Sequence, residues 1–438
     1  MTHPYLPTEL IELIASYLDL PSFRSLRLTN SELSRQTAHH LGTRYLRTQT
    51  LSWARSSLDT FLEKNTHESF SGRLQNLVVD ATPYHSQNLW RASKHVPEEQ
   101  PHSAWLHTSS AEVNGALDAA RSAAAVAAAA AATVNKFFNE TRYDVKVLTT
   151  VFARLEKLET LTFEYKGMER KYAKFGNGYC VSSQHEMSRP FVSTMAAVAA
   201  TGLSVAAINC EVYYGAHGAV GIGRLESLAP VLGRFDTAFA KLTFLDLCLR
   251  DWRCPDEGFQ LDDSARAPFV VRFLAKAREL RELRLDCYSV FEDDIFGHMA
   301  RCCVFPKLER CKLAMLPINV HSPRDLHTFL APCEDSLVFL GLYNLLLPGG
   351  GSEPSWPELL VDLARDETVL KALQTLKVQN LFATKGDRMW YKIHAYSLGD
   401  VDVGLWRTDF FDSRRYYESS GSSAMWEGFA KEYPWKYC

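Results

Sequence analysis

The chain has 438 residues, of which 46% are hydrophobic and 23% charged, and its formal net charge at pH 7 is −3. That length can bury one extended core or two to three ordinary ones, and the composition is typical of a globular protein. The nearly balanced charge argues against the strongly basic surface that binding to nucleic acid or an anionic membrane requires.

The start of the chain does not resemble a secretory signal, which needs a basic region followed by an unbroken apolar stretch. Prolines and acids interrupt it instead, at Pro4, Pro7, Glu9, Glu12 and Asp19. We therefore expect a cytoplasmic or nuclear protein, or both, whose ten cysteines are free thiols. The longest apolar run, 123–132, is nearly all alanine and too short to span a bilayer. No C-x-x-C pair occurs, so no metal or other cofactor is expected.

The first helix of the chain is predicted from apolar residues at Leu10, Ile14 and Leu18, with Ile11 and Leu13 beside them. This is helical spacing with a wide apolar face. One side of such a helix can pack in its own domain, and the other side is left for a partner.

Two more short helices are predicted after the break at Leu20-Pro21. One covers 22–29, and the other runs from a cap at Asn30 or Ser31 to Tyr45. Three such helices make a core that is marginal alone, which favours a docking module. The alternative is a small helical domain in which Leu10 and Ile14 are ordinary core residues.

A longer motif accompanies these helices: Leu6-Pro7-x-Glu9-Leu10-x-x-x-Ile14-x-x-Tyr17-Leu18-Asp19-Leu20-Pro21-x-x-Arg24-x-Leu26-Arg27-Leu28-Thr29. It resembles the F-box of fungal proteins over residues 4–46. One departure is Asn30-Ser31-Glu32, where the family often has a cysteine or basic residue followed by an aromatic one.

This resemblance implies a three-helix domain that binds a Skp-family adaptor, which in turn binds a cullin scaffold. The residues implied to contact the adaptor are Leu6, Pro7, Leu10, Ile14, Leu18, Leu20, Leu26 and Leu28.

The rest of the chain repeats the pattern Leu-x-x-Leu-x-Leu, for example in Leu242-x-x-Leu245-x-Leu247. Copies or close variants begin at residues 74, 158, 203, 242, 280, 308, 337 and 373. The spacing suits one strand and one helix per unit, and 268–280 has helical spacing between two copies. The fold class predicted is therefore α/β: a small three-helix F-box followed by an irregular, leucine-rich-repeat-like α/β solenoid with a curved parallel sheet.

This region resembles the leucine-rich repeats that follow F-boxes in many substrate receptors. The asparagine or cysteine that those repeats carry eight residues after the first leucine is absent. Instead, Cys210, Cys287, Asn344 and Asn380 fall seven after it. An irregular α/β domain with leucine-rich strands remains the alternative.

The predicted domains are an F-box at 1–48, a repeat-like domain at 49–388 and an aromatic-rich cap at 389–438. The middle one contains insertions, a loop at 80–110 and an alanine-rich helix at 112–138. Helix starts are also predicted at Ser289, Ser322 and Ser355, each followed by an acid within three residues.

The second and third leucines of each copy are expected to point inward, and the residues between and beside them to face the concave side of the sheet. That side is the predicted substrate face. Its candidates are Glu282, Arg284, Asp286, Arg310, Lys312, Tyr343, Lys377 and Gln379. They mix both signs, which favours a protein partner over a polyanion.

Catalytic motifs are scarce, so we predict a non-catalytic subunit of a ubiquitin ligase that recruits a protein substrate. One alternative is an F-box scaffold outside any ligase. The other is an enzyme that binds a nucleotide at the glycine-rich loop Gly215-x-x-Gly218-x-x-Gly221-x-Gly223, which lacks the order of a phosphate-binding fingerprint.

Overall fold

The protein is an α/β protein that begins with helices and continues with strands and helices in alternation. The computed structural model describes residues 6–67, 72–82, 133–134, 136–165, 181–212, 220–250, 267–288, 295–314, 316, 325–343, 345–347, 370–379, 381–385, 388–393 and 401–402.

The N-terminal helices are α1 (Thr8–Ser16), α2 (Leu20–Thr29), α3 (Ser31–Gln36) and α4 (Ala38–Tyr45). Asn30 caps α3, because its side chain accepts a hydrogen bond from the Glu32 backbone N–H at 2.8 Å. The prediction of one continuous third helix is wrong. The chain leaves helical geometry at Thr37, whose hydroxyl donates back to the carbonyl of Leu33 at 2.7 Å, and α4 starts anew after it.

These helices form a small core around Phe23, which is fully buried. Its ring lies 5.4 Å from that of His40 and 5.3 Å from that of Tyr45. Arg44 donates to the carbonyl of Ser16 at 2.6 Å, so α4 also satisfies the free carbonyls at the end of α1.

A single open sheet follows, and its strand order is the chain order except for one short strand. Its parallel strands are β1 (Thr48–Ser52), β2 (Asn76–Asp80), β3 (Lys157–Tyr165), β4 (Ser204–Val212), β5 (Val220–Gly221), β6 (Phe244–Arg250), β7 (Glu282–Tyr288), β8 (Arg310–Ala314), β9 (Phe339–Tyr343) and β11 (Thr375–Gln379). β5 pairs beside β6, off the main path.

Three further short strands and one edge strand complete the strands that the structure describes. β10 (Leu346–Leu347), β12 (Leu381–Lys385) and β13 (Arg388–Ile393) form a separate small sheet, and β14 (Val401–Asp402) pairs antiparallel with β11. The predicted C-terminal cap at 389–438 otherwise lies outside the described residues.

Helices connect the strands: α5 (Arg55–Thr66), α6 (Tyr143–Phe152), α7 (Val181–Thr201), α8 (Ile222–Leu225), α9 (Phe235–Ala238), α10 (Phe269–Leu274), α11 (Ile295–Cys302) and α12 (Asp325–Leu330). Glu226–Arg234 and Ala331–Cys333 are 3₁₀ helices. The helix predicted over 268–280 is shorter than expected. It ends at Leu274, and turns carry the chain from there into β7.

Several predicted features fall mostly outside the described residues. These include the loop at 80–110 after Thr82, the alanine-rich helix before Thr133, and the helix starts at Ser289, Ser322 and Ser355. None of the helices within the described ranges is long and apolar enough to cross a lipid bilayer.

The leucine patterns lie on β2, β3, β4, β6, β7, β8, β9 and β11, so all eight copies mark strands. The second and third positions of the copies in β2, β3, β6, β7, β8 and β9 are buried, as predicted; Leu245, Leu247, Leu283 and Leu285 are examples. The connecting helices add their apolar residues to the same core. Each buried leucine contributes about 1.5–3 kcal/mol to stability. The prediction of an α/β fold with a parallel sheet is confirmed.

Candidate functional site

Several large apolar residues of the N-terminal helices are exposed, and four of them lie on one side of α1. α1 buries Ile11 and Ala15, whereas Leu10 and Ile14 are 46% and 47% exposed. We call Leu10, Leu13, Ile14 and Tyr17 the N-terminal patch; Leu6, before α1, and Leu28, in α2, are also exposed. Isolated exposed leucines are common, but a cluster of this kind on a domain so small marks an interaction surface.

Of the eight residues that the sequence predicts at the adaptor interface, Leu6, Pro7, Leu10, Ile14 and Leu28 are exposed. Leu18, Leu20 and Leu26 are half-buried.

Sequence reasoning missed Leu13 and Tyr17, which are 53% and 82% exposed. The sequence does indicate their position, because residues 10, 13, 14 and 17 have the spacing i, i+3, i+4 and i+7, which places them on one side of a helix.

The second surface is the side of the sheet opposite the leucine core, which we call the polar face. Its positions alternate with the buried ones along each strand. Register pairs Asp246 with Arg284, Arg284 with Lys312, Lys312 with Gly341 and Gly341 with Lys377.

The structure therefore brings the predicted substrate-face residues together in adjacent strands. Glu282, Arg284 and Asp286 lie in β7, Arg310 and Lys312 in β8, Tyr343 in β9, and Lys377 and Gln379 in β11. The side chain of Gln379 is outside the described part of the structure. Sequence reasoning missed Phe244, Asp246, Phe339 and Gly341, although the same alternation places them on this face.

Aromatic rings support the cations of this face. The guanidinium carbon of Arg310 lies 4.6 Å from the centre of the Phe339 ring, and that of Arg284 lies 5.2 Å from Phe244. The Lys312 ammonium lies 5.5 Å from the ring of Tyr343. Rings hold these cations by cation–π attraction and limit their freedom, so the surface is partly ordered before any partner binds.

Carboxylates and cations also pair across the strands. Arg284 contacts Glu282 at 2.6 Å and Asp246 at 3.8 Å, and Lys312 lies 3.6 Å from Asp286. The pKa of Asp246 is raised to about 7, first by burial and then by the negative charge of Asp286, while Arg284 and Lys312 oppose the shift. Burial also raises the pKa of Asp286.

The two signs are segregated across the polar face. The sequences of β2 to β7 contain seven acids and three bases. The acids are Asp80, Glu159, Glu164, Glu211, Asp246, Glu282 and Asp286, and the bases are Lys157, Arg250 and Arg284. β8, β9 and β11 contain the bases Arg310, Lys312 and Lys377 and no acid.

Four of the described cysteines are not activated as nucleophiles. Burial raises the pKa of Cys303 and of Cys333 to about 12, and it raises those of Cys210 and Cys311 as well. These thiols are therefore protonated at neutral pH, whereas the thiolate is the reactive form. Within the described ranges, no three His, Cys, Asp or Glu residues are placed to hold a metal ion.

The glycine-rich loop of the enzyme hypothesis lies partly outside the described residues, since Gly215 and Gly218 fall in 213–219. Gly221 ends β5, and Gly223 lies in the four-residue helix α8.

Comparison of the sequence with known protein families and with curated proteins gives no match. The two surfaces, rather than a relationship, therefore carry the functional argument.

Proposed function

We propose that this protein is the substrate-receptor subunit of an SCF-type ubiquitin ligase. In this proposal α1 to α4 are an F-box that binds a Skp-family adaptor and, through it, a cullin scaffold. The sheet is a leucine-rich-repeat-like solenoid whose polar face binds the protein substrate. Such a subunit makes no bonds itself. It raises the effective concentration of a substrate lysine near the ubiquitin-conjugating enzyme.

The observation that carries the proposal is the N-terminal patch. A domain of about forty residues buries little apolar surface and is marginal alone, yet this one leaves Leu10, Leu13, Ile14 and Tyr17 on its outside. Covering that side with another polypeptide would bury apolar area and stabilise the helices. The Leu6-Pro7 start and the exposed leucines follow the F-box motif in the same stretch.

The sheet supports the second half of the proposal. Parallel strands in chain order, each followed by a return segment, are what stacked strand–helix units produce. This arrangement leaves one face of the sheet lined by partly exposed, charged and aromatic residues such as Arg284, Arg310 and Tyr343. A broad face of this composition suits a protein partner.

The adaptor half is tested by measuring the affinity of the full-length protein for a purified Skp-family adaptor. The double variant Leu10→Asp/Ile14→Asp places two carboxylates in the N-terminal patch. We expect at least a 100-fold loss of affinity, because two apolar contacts of about 1.5–3 kcal/mol each are lost. The matched control is Val134→Asp/Val304→Asp, which changes two exposed valines elsewhere and should bind within twofold of the wild type.

Equal binding by wild type and Leu10→Asp/Ile14→Asp, with both folded by circular dichroism, would refute the docking role. The scaffold alternative would be favoured if the protein binds the adaptor and the cullin but no other protein accumulates when the gene for this protein is deleted.

A further inference from the structure

We propose that the polar face binds a protein segment of opposite charge at its two ends, with acidic residues over β8 to β11 and basic residues over β2 to β7. This inference rests on the proposed use of the polar face for partner binding, and it specifies the class of partner.

The basic end of the face is built around Gly341. Register places Lys312 and Lys377 on either side of this glycine, in the two neighbouring strands. Because strands are about 4.8 Å apart, the two lysines start about 10 Å from each other, and the rings of Phe339 and Tyr343 lie against the glycine between them. Arg310 stands two residues before Lys312 in β8, half exposed, over the ring of Phe339 and 3.9 Å from the Glu282 carboxylate. An acidic side chain placed over the Phe339 and Tyr343 rings would therefore meet cations from three directions.

The aromatic rings at this end add apolar contact to the charge. Phe339 and Tyr343 flank Gly341 so closely that a Cβ on the glycine would lie 3.2 Å and 2.6 Å from them. Stacked or ring-supported cations lose less entropy on binding than free ones. These features favour the β8 to β11 end as the anchoring point for the acidic part of a partner.

The acidic end extends over more strands. Asp80, Glu164 and Glu211 lie side by side in one register row at the carboxyl ends of β2, β3 and β4. The next two strands of the main path contribute Asp246, Glu282 and Asp286 together with two bases, Arg250 and Arg284, and Arg284 contacts Glu282 at 2.6 Å.

This distribution of charge determines which class of partner the polar face can bind. A polyanion such as a nucleic acid would gain from Arg310, Lys312 and Lys377 but would be repelled by the carboxylates of the adjoining strands. A segment with both signs satisfies both ends. The middle of the acidic strands and the middle of the basic strands are about four strand spacings apart, or about 19 Å, which about six extended residues span.

The probes are decapeptides of fixed design, and binding to the full-length protein is followed by fluorescence anisotropy at low salt. The block peptide has four lysines, Gly-Ser and four glutamates, so that its charge centres are about 20 Å apart when extended. The alternating peptide has the same composition with lysine and glutamate interleaved. We expect the block peptide to bind at least tenfold more tightly than the alternating one and to weaken as salt is added.

The variant Arg310→Glu/Lys312→Glu reverses the basic end, and we expect it to weaken binding of the block peptide at least tenfold. The matched control is Lys241→Glu/Arg278→Glu, which makes the same charge change at two exposed residues outside the polar face and should bind within twofold of the wild type.

Four results would overturn the inference: no binding of the block peptide at millimolar concentration, equal affinities for block and alternating peptides, tighter binding of an all-glutamate decapeptide, or binding of a labelled single-stranded oligonucleotide that depends on Arg310 and Lys312. None of them affects the adaptor measurement, which changes only the N-terminal patch. Failure of this inference is therefore distinguishable from failure of the proposed ligase role.

Discussion

Gly341 is the residue of the polar face whose missing side chain matters most. Its neighbours in the strand, Phe339 and Tyr343, lean over it, and a Cβ there would lie 2.6 Å from the Tyr343 ring. Gly341 therefore allows the two rings to support Arg310 and Lys312.

The variant Gly341→Ala should displace these rings and destabilise the protein by about 1–2 kcal/mol, as overpacking does. Chemical denaturation measures this change. Gly233→Ala is the control, because no atom lies within 4 Å of a Cβ built on Gly233. Equal stability of the two variants would show that the rings move aside without cost.

Ionisation of Asp246 on the polar face makes the stability of the protein depend on pH. Its pKa in the folded protein is about 7, raised first by burial, against an ordinary value of 3.8. The folded state thus holds a proton that the unfolded state has already lost between about pH 4 and pH 7. Stability must fall as the pH rises through this range, because ionisation of Asp246 is penalised only in the folded protein.

Asp246→Asn removes this ionisation. We expect the wild type to lose about 2 kcal/mol of stability relative to this variant between pH 5 and pH 8. Urea denaturation at the two pH values measures the difference. The control is Asp335→Asn, at a carboxylate that is 78% exposed, and its stability should change with pH as that of the wild type does. Parallel behaviour of Asp246→Asn and wild type would contradict the raised pKa.

Among the elements, α6 and α7 are joined by a buried ion pair. Asp144 in α6 is fully buried and accepts hydrogen bonds at 2.7 Å from both Arg189 and Ser193 of α7. Removing one partner of such a pair leaves the other charge buried without compensation, which is more damaging than losing an exposed pair.

Asp144→Ala should therefore cost about 3–5 kcal/mol in denaturation experiments. The comparison is Glu309→Ala, which removes an exposed pair with Arg281 and should cost less than about 1 kcal/mol. A similar loss in both variants would mean that Arg189 finds another partner once Asp144 is gone.

The strands were the most predictable elements, because each leucine pattern reports the same physical requirement, an inward-facing apolar pair such as Leu283 and Leu285. β1 was missed because Leu51 is its one buried residue and no leucine pair marks it. The break at Thr37 was missed for another reason. The residues around it are compatible with a helix, and only packing against α1 and α2 decides where the chain bends.

For the candidate site, alternation along single strands was enough to place Arg284, Lys312 and Lys377 on one face. The segregation of charge was not visible in the same way. The distribution of charge over the face depends on which strands are neighbours. The copies of the pattern are far apart in sequence, so their order in the sheet is known only from the structure.

At the scale of the whole molecule, the two candidate surfaces are separate. The N-terminal patch precedes β1, whereas Arg310 and Lys312 lie in β8, six strand spacings or about 29 Å along the sheet from β1. Changes at sites this far apart, without shared contacts, are usually additive.

We therefore expect Leu10→Asp/Ile14→Asp to leave the affinity for the block peptide within twofold of the wild type. Conversely, Arg310→Glu/Lys312→Glu should leave the affinity for the adaptor unchanged within the same limit. Both are measured by anisotropy with the full-length protein. A larger effect in either direction would reveal energetic coupling between the two surfaces.

Because the strands of the main path add to the sheet in the order in which they are synthesised, no strand has to insert between two that are already paired. During translation each new strand can join the free edge left by the previous one, with the N-terminal helices emerging from the ribosome first. The same strand order allows the width of the sheet to change during evolution. Duplication or loss of one strand–helix unit lengthens or shortens the sheet by about 4.8 Å and leaves the pairing of the remaining strands intact.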